Sequence, residues 1–130
     1  MTTKSPPLIL AVDDSAKMHK ILQAKLKSEI AADKIRLQFF ADPNTCLKFI
    51  KDNKDQQNMI LLLSDISMPS LDGFTFLHVA RNELPDIQFV VTSAHDSSDF
   101  REQAKQLGVK AYLTKPLNFE VIKELINEAA

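Results

Sequence analysis

The residues best able to do chemistry in this chain each follow a short apolar run. Asp13 and Asp14 come after the first such run, and Asp65 closes the stretch LLLSD. Ser93 follows another run, and Lys115 comes soon after the last one. Carboxylates gathered at one place repel one another, and a hard divalent cation relieves that repulsion because it prefers oxygen ligands. If the fold brings these positions together, they predict a magnesium site suited to receiving a phosphoryl group.

Each of these residues also has an ordinary structural explanation when it is taken alone. Asp13 and Asp14 more often cap a helix than bind a metal, because aspartate satisfies the free amides at a helix start. Asp65 is at the start of a turn, where aspartate is common. Lys115, which precedes a proline, is typical of the loop before a helix. The recurrence of such residues after successive apolar runs is what favours a shared site.

Two kinds of segment alternate along the chain. Short continuous apolar runs indicate strands covered on both faces, as in a parallel sheet, and a weaker alternation at Ile35, Leu37 and Phe39 indicates a strand nearer an edge. The predicted strands lie at 8–12, 35–39, 59–63, 89–91 and 111–113. Five amphipathic patterns predict helices around 18–26, 46–50, 76–80, 100–107 and 122–126. The fourth helix is poorest in apolar residues, so we expect its docking to be the weakest.

This alternation predicts an α/β fold with a doubly wound, five-stranded parallel sheet and helices on both faces, two on one side and three on the other. Ligand chemistry in such folds lies at the carboxyl ends of the strands. Asp13, Asp14, Asp65, Ser93 and Lys115 all follow strands, so we expect them at one edge of the sheet. There they would form an acidic pocket with a lysine at its rim.

The composition favours a single domain at 8–130, preceded by a tail at 1–7. With a formal net charge of −1, the sequence shows no visible polyanion-binding surface and no polybasic run that would attract a membrane. Cys46 is the single cysteine and cannot form an internal disulfide, and no signal peptide or membrane span is recognisable. We therefore expect a cytoplasmic protein.

Four motifs, in order, resemble the receiver domain of two-component response regulators, the family of the bacterial chemotaxis regulator: LILAVDDS, LLLSDISMPSLDGF, FVVTSAHD and AYLTKPLN. The resemblance covers nearly the whole chain. It implies a flavodoxin-like, three-layer sandwich with strand order 2-1-3-4-5. It also implies a signalling switch activated by phosphorylation, and not an enzyme.

The resemblance implies a role for several residues of the acidic pocket. Asp65 would be the phosphoacceptor, attacking the phosphorus of a phosphohistidine or of a small phosphodonor. Asp14 and Asp65 would bind Mg²⁺ directly, Asp13 would act largely through water, and the backbone carbonyl of Ser67 would supply a further oxygen. Lys115 would pair with the phosphoryl oxygens.

The resemblance also implies how the signal leaves the pocket. The Ser93 hydroxyl would hydrogen-bond the phosphoryl group and draw in its loop, letting Tyr112 turn inward. Thr92 is a second candidate hydroxyl, but Ser93 directly precedes Ala94, as the family's hydroxyl residue precedes alanine. The output surface would comprise the fourth helix, the fifth strand and the fifth helix.

The implied partners are a sensor histidine kinase or a histidine phosphotransfer protein, and a downstream protein effector or fused output domain. No direct contact with nucleic acid or membrane is expected. One alternative is a phosphohydrolase of the haloacid-dehalogenase type, but Ser67 stands where that class has its general-acid aspartate. A flavodoxin-like ligand-binding protein lacks support because Gly73 and Gly108 are the only glycines. The last alternative is a receiver-shaped interaction module that is never phosphorylated, against which the intact acidic set argues.

Overall fold

The structure, a computed structural model, describes residues 6–67 and 73–130, which form five strands and six helices. The strands are β1 (Leu8–Val12), β2 (Arg36–Phe40), β3 (Met59–Asp65), β4 (Gln88–Ser93) and β5 (Ala111–Thr114). The helices are α1 (Ala16–Lys25), α2 (Lys27–Ala31), α3 (Pro43–Asn53), α4 (Gly73–Glu83), α5 (Ser98–Gln106) and α6 (Phe119–Ala129). No helix within these described ranges is long and apolar enough to cross a membrane.

The strands form one parallel sheet in the order β2-β1-β3-β4-β5, which confirms the predicted fold class and strand order. Interior strand β1 is buried along its whole length, as its continuous apolar sequence predicts. The edge strands β2 and β5 are partly exposed, and the alternating sequence at β2 had predicted such a position.

Apolar side chains pack against both faces of the sheet. Leu22 and Leu26, together with Ile122 and Ile126 of α6, cover one face. The other face is covered by α3, α4 and α5, whose fully buried members include Phe76. Counting α1 and α2 as one predicted helix, the expected division into two helices and three is confirmed.

The first predicted helix differs from the observed one. It was expected to continue through Leu26, whereas α1 ends at Lys25 and a turn at Leu26 leads into the short α2. Glu29 of α2 is buried, accepts a hydrogen bond from Ser28 Oγ at 2.6 Å and lies 3.4 Å from Lys123 Nζ of α6. The period of the apolar residues reports which face of a helix is buried, so it could not show this break or the contact with a distant helix that accompanies it. The fourth and fifth predicted helices are therefore α5 and α6.

Gly73 shows how closely the segment after β3 approaches α4. A Cβ atom at this position would lie 2.7 Å from the Cα atom of Ile66, so an alanine would displace backbone. We expect Gly73→Ala to lower the free energy of unfolding by about 1–3 kcal/mol through overpacking. Urea unfolding measures the change. Gly108→Asn is the control because its site has open space and a φ of +71°, which asparagine tolerates. Equal stability of Gly73→Ala and the wild type would contradict the close approach.

Candidate functional site

The sheet brings the predicted residues to its carboxyl edge. Asp13 directly follows β1, and Asp65 and Ser93 are the last residues of β3 and β4. Lys115 directly follows β5. Because all the strands run parallel and Asp65 is level with Thr92 of β4, these four positions emerge at the same edge. The predicted convergence is what the structure shows.

Three carboxylates lie together at this edge. Among the described residues, Asp13, Asp14 and Asp65 form a group whose ligand atoms all lie within 4.8 Å of one another. Asp13 and Asp65 are buried, whereas Asp14 is exposed. Burial strengthens the repulsion between carboxylates because the local dielectric is lower than that of water. The pocket therefore requires positive charge.

Lys115 supplies part of that charge. Its Nζ atom lies 3.0 Å from Asp13 Oδ2 and 2.8 Å from Asp65 Oδ2. Burial of the ammonium would by itself lower the pKa of Lys115, but the hydrogen bonds to Asp65 and Asp13 and the attraction of their charges together outweigh burial and raise the pKa. Lys115 is therefore protonated at neutral pH, and the group of three carboxylates and one ammonium keeps a formal charge of −2.

Backbone amides fix the remaining oxygens of the two buried carboxylates. Asp13 Oδ1 accepts a hydrogen bond from the Ser15 N–H at 2.9 Å, and Asp65 Oδ1 accepts one from the Ser67 N–H at 2.7 Å. The N-cap of α1 is Ser15, whose Oγ accepts from the Met18 N–H at 3.3 Å. The carboxylate of Asp14 is thus not needed as the cap of α1.

This donor set fits a magnesium ion. The three carboxylates offer the oxygen ligands that hard cations prefer, and the residual formal charge of −2 equals the charge that a divalent cation would neutralise. Asp14 is exposed, so its carboxylate is accessible from solvent. Ser67, whose backbone carbonyl was a predicted ligand, lies at the same edge through its bond to Asp65.

Ser93 and Thr92 differ in their surroundings, although both are buried. The Ser93 Oγ atom accepts a hydrogen bond from the His95 N–H at 3.0 Å and lies 3.4 Å from the Ser67 Oγ atom. Successive side chains of a strand point to opposite faces, so Thr92 points away from that contact. The arrangement supports Ser93, and not Thr92, as the hydroxyl beside the segment that follows Asp65.

Tyr112 is half-buried on β5, and its hydroxyl donates a hydrogen bond to the His95 carbonyl at 2.8 Å. The guanidinium carbon of Arg101 lies 4.6 Å from the centre of the Tyr112 ring. The Arg101 Nε atom also lies 2.5 Å from Asp96 Oδ1. Sequence reasoning missed Arg101 and Asp96. An arginine on the exposed face of the poorest predicted helix was the available signal, but the register of α5 over β5 could not be read from sequence.

Few side chains of helix α5 pack against the rest of the domain, as its sequence predicted. Ala104 is buried, Phe100 is half-buried, and the other residues between Ser98 and Gln106 are exposed. At its carboxyl end, Arg81 of α4 donates a hydrogen bond to the Leu107 carbonyl at 3.2 Å. Local opening costs least where few apolar groups are buried, so α5 is an element that a modest bias can move.

Cys46 and His19 have side chains that could react or bind a metal, but their contacts are with apolar and aromatic residues of the fold. Cys46 is buried in the core, where desolvation raises the pKa of its thiol to about 12, so it is not a reactive thiolate. His19 stacks on Phe39 with ring centres 4.2 Å apart. The turn expected after Asp65 was predicted to run through Met68-Pro69 and Asp72-Gly73, and of these residues only Gly73 lies within the described part of the chain.

A parallel five-stranded fold with an acidic cluster and a lysine at its carboxyl edge is the arrangement that the sequence motifs implied for a receiver domain. Residues 9–127 match the family described as the response regulator receiver domain. The chain belongs to this family, and it is therefore a receiver domain of the two-component type.

Two curated relatives illustrate the breadth of the match. The two-component response regulator ARR10 of Arabidopsis thaliana is 29% identical over 121 residues, which are 90% of this chain and 20% of that protein. The DNA-binding transcriptional regulator NtrC of Proteus hauseri is also 29% identical, over 93% of this chain and 24% of that protein. The chain thus spans about a fifth to a quarter of the length of these relatives.

Solved structures show the same fold. A response regulator receiver protein from Pseudomonas putida superposes with a TM-score of 0.82 at 24% identity, covering 97% of this chain and 99% of that one. The chemotaxis protein CheY4 of Vibrio cholerae gives a TM-score of 0.79 at 20% identity, covering 96% and 99%. At these identities the likeness concerns the fold alone.

Proposed function

We propose that this receiver domain is a phosphorylation-activated switch and that Asp65 is its phosphoacceptor. The observation that carries the proposal is the Lys115 ammonium held between Asp13 and Asp65, with Asp14 beside them, at the carboxyl edge of the sheet. When the donor is a phosphohistidine, a carboxylate oxygen of Asp65 forms a bond to its phosphorus as the bond between phosphorus and the histidine nitrogen breaks. The product is an acyl phosphate, and the released histidine takes a proton from solvent.

Asp65 is preferred over Asp13 as the phosphoacceptor because of the contacts made by the residues that follow Asp65. Both carboxylates contact Lys115, but the residue bound to Asp65 Oδ1, Ser67, also reaches the loop that follows β4. The amide bound to Asp13 Oδ1 belongs to Ser15, the cap of α1. A charge added at Asp65 is therefore placed next to the elements that can change the surface.

Asp14 and Asp65 are the proposed direct ligands of Mg²⁺, with Asp13 acting largely through water and the Ser67 carbonyl supplying another oxygen. When bound, the ion would neutralise charge on the transferring phosphoryl group. Lys115 is already placed against Asp65, where its ammonium can pair with phosphoryl oxygens. Positioning and charge neutralisation carry most of the rate enhancement in phosphoryl transfer, so this small set of residues suffices.

The wild-type protein, incubated with magnesium and acetyl phosphate, should gain the mass of one phosphoryl group, detected by intact-mass measurement. Loss of that gain on removing magnesium with a chelator would support the role of the ion. Phosphate located on Ser64, Ser67 or His95 would contradict the assignment of Asp65. A wild type that never gains mass, even with a range of phosphodonors, would favour the unphosphorylated interaction module.

The proposed output surface consists of α5, β5 and α6. A phosphoryl group adds negative charge and acceptor oxygens beside Ser93 and Lys115, which draws in the loop after β4. Tyr112 is bound to that loop through the His95 carbonyl, so its ring moves with the loop. The bias acts on an existing two-state equilibrium, and the coupling is on the order of 1–3 kcal/mol.

We expect beryllofluoride, a phosphoryl mimic, to shift the amide resonances of α5 and Tyr112 as well as those of the pocket. The physical reason is the weak docking of α5, which holds Ala104 as its buried residue. Two-dimensional amide spectra with and without the mimic measure the response. Helix α3 contacts β1 and β2, at the end of the sheet away from β5, so its resonances serve as the internal control. Shifts confined to the pocket would show that the signal does not leave through this surface.

The proposed partners follow from the family and from the length of the relatives. A sensor histidine kinase or a histidine phosphotransfer protein would supply the phosphoryl group. The domain would comprise 8–130, with 1–7 as a tail, and would act in the cytoplasm. A separate protein effector or a fused output domain would read the α5–β5–α6 surface, and no direct contact with nucleic acid or membrane is proposed for the receiver domain itself.

A further inference from the structure

We propose that Ser67 is a positioning residue. Its side-chain hydroxyl holds the loop at 94–97 against the segment that follows Asp65 before any phosphoryl group is present. This loop joins β4 to α5 and is called the switch loop below. The inference rests on the proposed function for its meaning. The contact that carries it, however, belongs to the unphosphorylated protein and can be measured there.

Ser67 touches both sides of the gap between the two segments. Its backbone N–H donates a hydrogen bond to Asp65 Oδ1 at 2.7 Å, which fixes Ser67 relative to the carboxylate. Its Oγ atom accepts a hydrogen bond from the Ala94 N–H, the first amide of the switch loop, at 3.1 Å. One residue therefore connects the carboxylate to the switch loop by two hydrogen bonds.

The same hydroxyl can orient the Ser93 side chain. A hydroxyl has one proton to donate and two lone pairs that accept. Ser67 Oγ accepts from the Ala94 N–H and lies 3.4 Å from Ser93 Oγ, and either hydroxyl can donate across that separation. In the arrangement in which Ser67 donates, both acceptor positions of Ser93 Oγ are filled, since Ser93 Oγ already accepts from the His95 N–H. Its proton is left free for an oxygen atom carried by Asp65.

The switch loop depends on these hydrogen bonds because it has little packing of its own. Ala94, His95 and Asp96 are exposed. The carbonyl of His95 accepts the Tyr112 hydroxyl at 2.8 Å, so the position of the loop is passed on to β5. One hydrogen bond of ordinary net strength shifts a two-state equilibrium by about three- to tenfold. Ser67 thus keeps the switch loop partly closed in the unphosphorylated domain. The loop movement that phosphorylation must complete is correspondingly smaller.

Amide hydrogen exchange at Ala94 tests the contact directly, in the unphosphorylated full chain and under conditions where exchange reports equilibrium opening. We expect Ser67→Ala to speed exchange at Ala94 by about three- to tenfold. Ser67→Thr keeps the hydroxyl and should restore slow exchange. Ser98→Ala removes an exposed hydroxyl from the first turn of α5 and is the matched control, with exchange at Ala94 unchanged.

A second measurement separates a positioning role from a merely structural one. Because the Ser67→Ala loop starts more open, beryllofluoride should change the Tyr112 amide resonance more in this variant than in the wild type. Exchange at Ala94 that is the same in Ser67→Ala and the wild type would overturn the inference. So would a Ser67→Thr variant that behaves like Ser67→Ala.

The exchange measurement at Ala94 does not depend on whether Asp65 can be phosphorylated, because it is made on the unphosphorylated chain. If acetyl phosphate fails to modify the wild type, the proposed function falls, while the exchange result at Ala94 still decides whether Ser67 holds the switch loop. If the wild type is phosphorylated on Asp65 and Ser67→Ala leaves Ala94 unchanged, the proposed function stands and this inference falls.

Discussion

An Asp65→Asn variant should gain no phosphoryl group from acetyl phosphate under conditions that modify the wild type fully. The amide that replaces the carboxylate is uncharged and is not an adequate nucleophile toward phosphorus. The substitution keeps the size of the side chain, and an amide oxygen can still accept the Ser67 N–H that Asp65 Oδ1 accepts. Intact-mass spectrometry measures the loss, which is expected to be complete.

The matched control is Asp52→Asn, which makes the same chemical change at an exposed position on α3. This variant should be phosphorylated like the wild type. Removing one negative charge from the pocket also relieves repulsion there, so Asp65→Asn should unfold at the same or a higher urea concentration than the wild type. Loss of phosphorylation together with loss of folding would leave Asp65 without a demonstrated chemical role, and continued phosphorylation of a folded variant would contradict the assignment.

A Lys115→Met variant should be less stable than the wild type by about 1–3 kcal/mol at neutral pH in the absence of divalent cations. Methionine has nearly the same shape as the methylene stem of Lys115, so the substitution measures the effect of removing the ammonium group. Asp13 and Asp65, whose side chains are 6% and 4% exposed, then keep their negative charges without the cation between them. The cost is less than that of a fully buried pair because the Lys115 side chain is 27% exposed and water can partly replace it.

The pH dependence of this difference identifies its cause. The pKa of Lys115 is raised in the folded protein, because the lowering effect of burial is outweighed by the hydrogen bonds to Asp65 and Asp13 together with the attraction of their charges. A raised pKa of a lysine stabilises the fold below the unfolded-state pKa, near 10.5, and the contribution is lost as the pH rises through the folded-state pKa. The stability difference between the wild type and Lys115→Met should therefore be steady at neutral pH and shrink above pH 10.5.

Urea unfolding at a series of pH values gives the measurement, and Lys48→Met on the exposed face of α3 is the control for loss of a lysine. Adding magnesium should stabilise Lys115→Met more than the wild type, since the ion relieves the repulsion that the ammonium no longer offsets. A variant as stable as the wild type, with no added response to magnesium, would show that the ammonium does not hold the acidic pocket together.

The sequence by itself determined the elements and the edge at which the chemistry lies. Continuous apolar runs identified the interior strands because both faces of those strands are covered, and helix stripes identified the face that each helix buries. Asp13, Asp65 and Lys115 could be assigned to one edge because parallel strands all end on the same side. These properties are local, or follow from a simple topological rule, so they can be read along the chain.

Only the tertiary structure decided which side chains touch. The break at Leu26 between α1 and α2 accompanies contacts of Glu29 with α6, which lie far apart in sequence. Arg101 was assigned no role until α5 was seen to lie over Tyr112. Contacts of this kind depend on the rotation and height of one element on another, and differences of an ångström decide whether two polar atoms bond.

The Ser67 hydroxyl shows most clearly the difference between what the sequence determined and what the tertiary structure decided. The resemblance to receiver domains pointed to Ser67 only through its backbone carbonyl, two residues after Asp65. Its side chain gained a role only when the segment after β3 and the switch loop after β4 were placed side by side, with Ala94 N–H 3.1 Å from Ser67 Oγ. Sequence patterns report burial and periodicity, whereas a hydrogen bond between two loops depends on distances that only the packed sheet and its helices set.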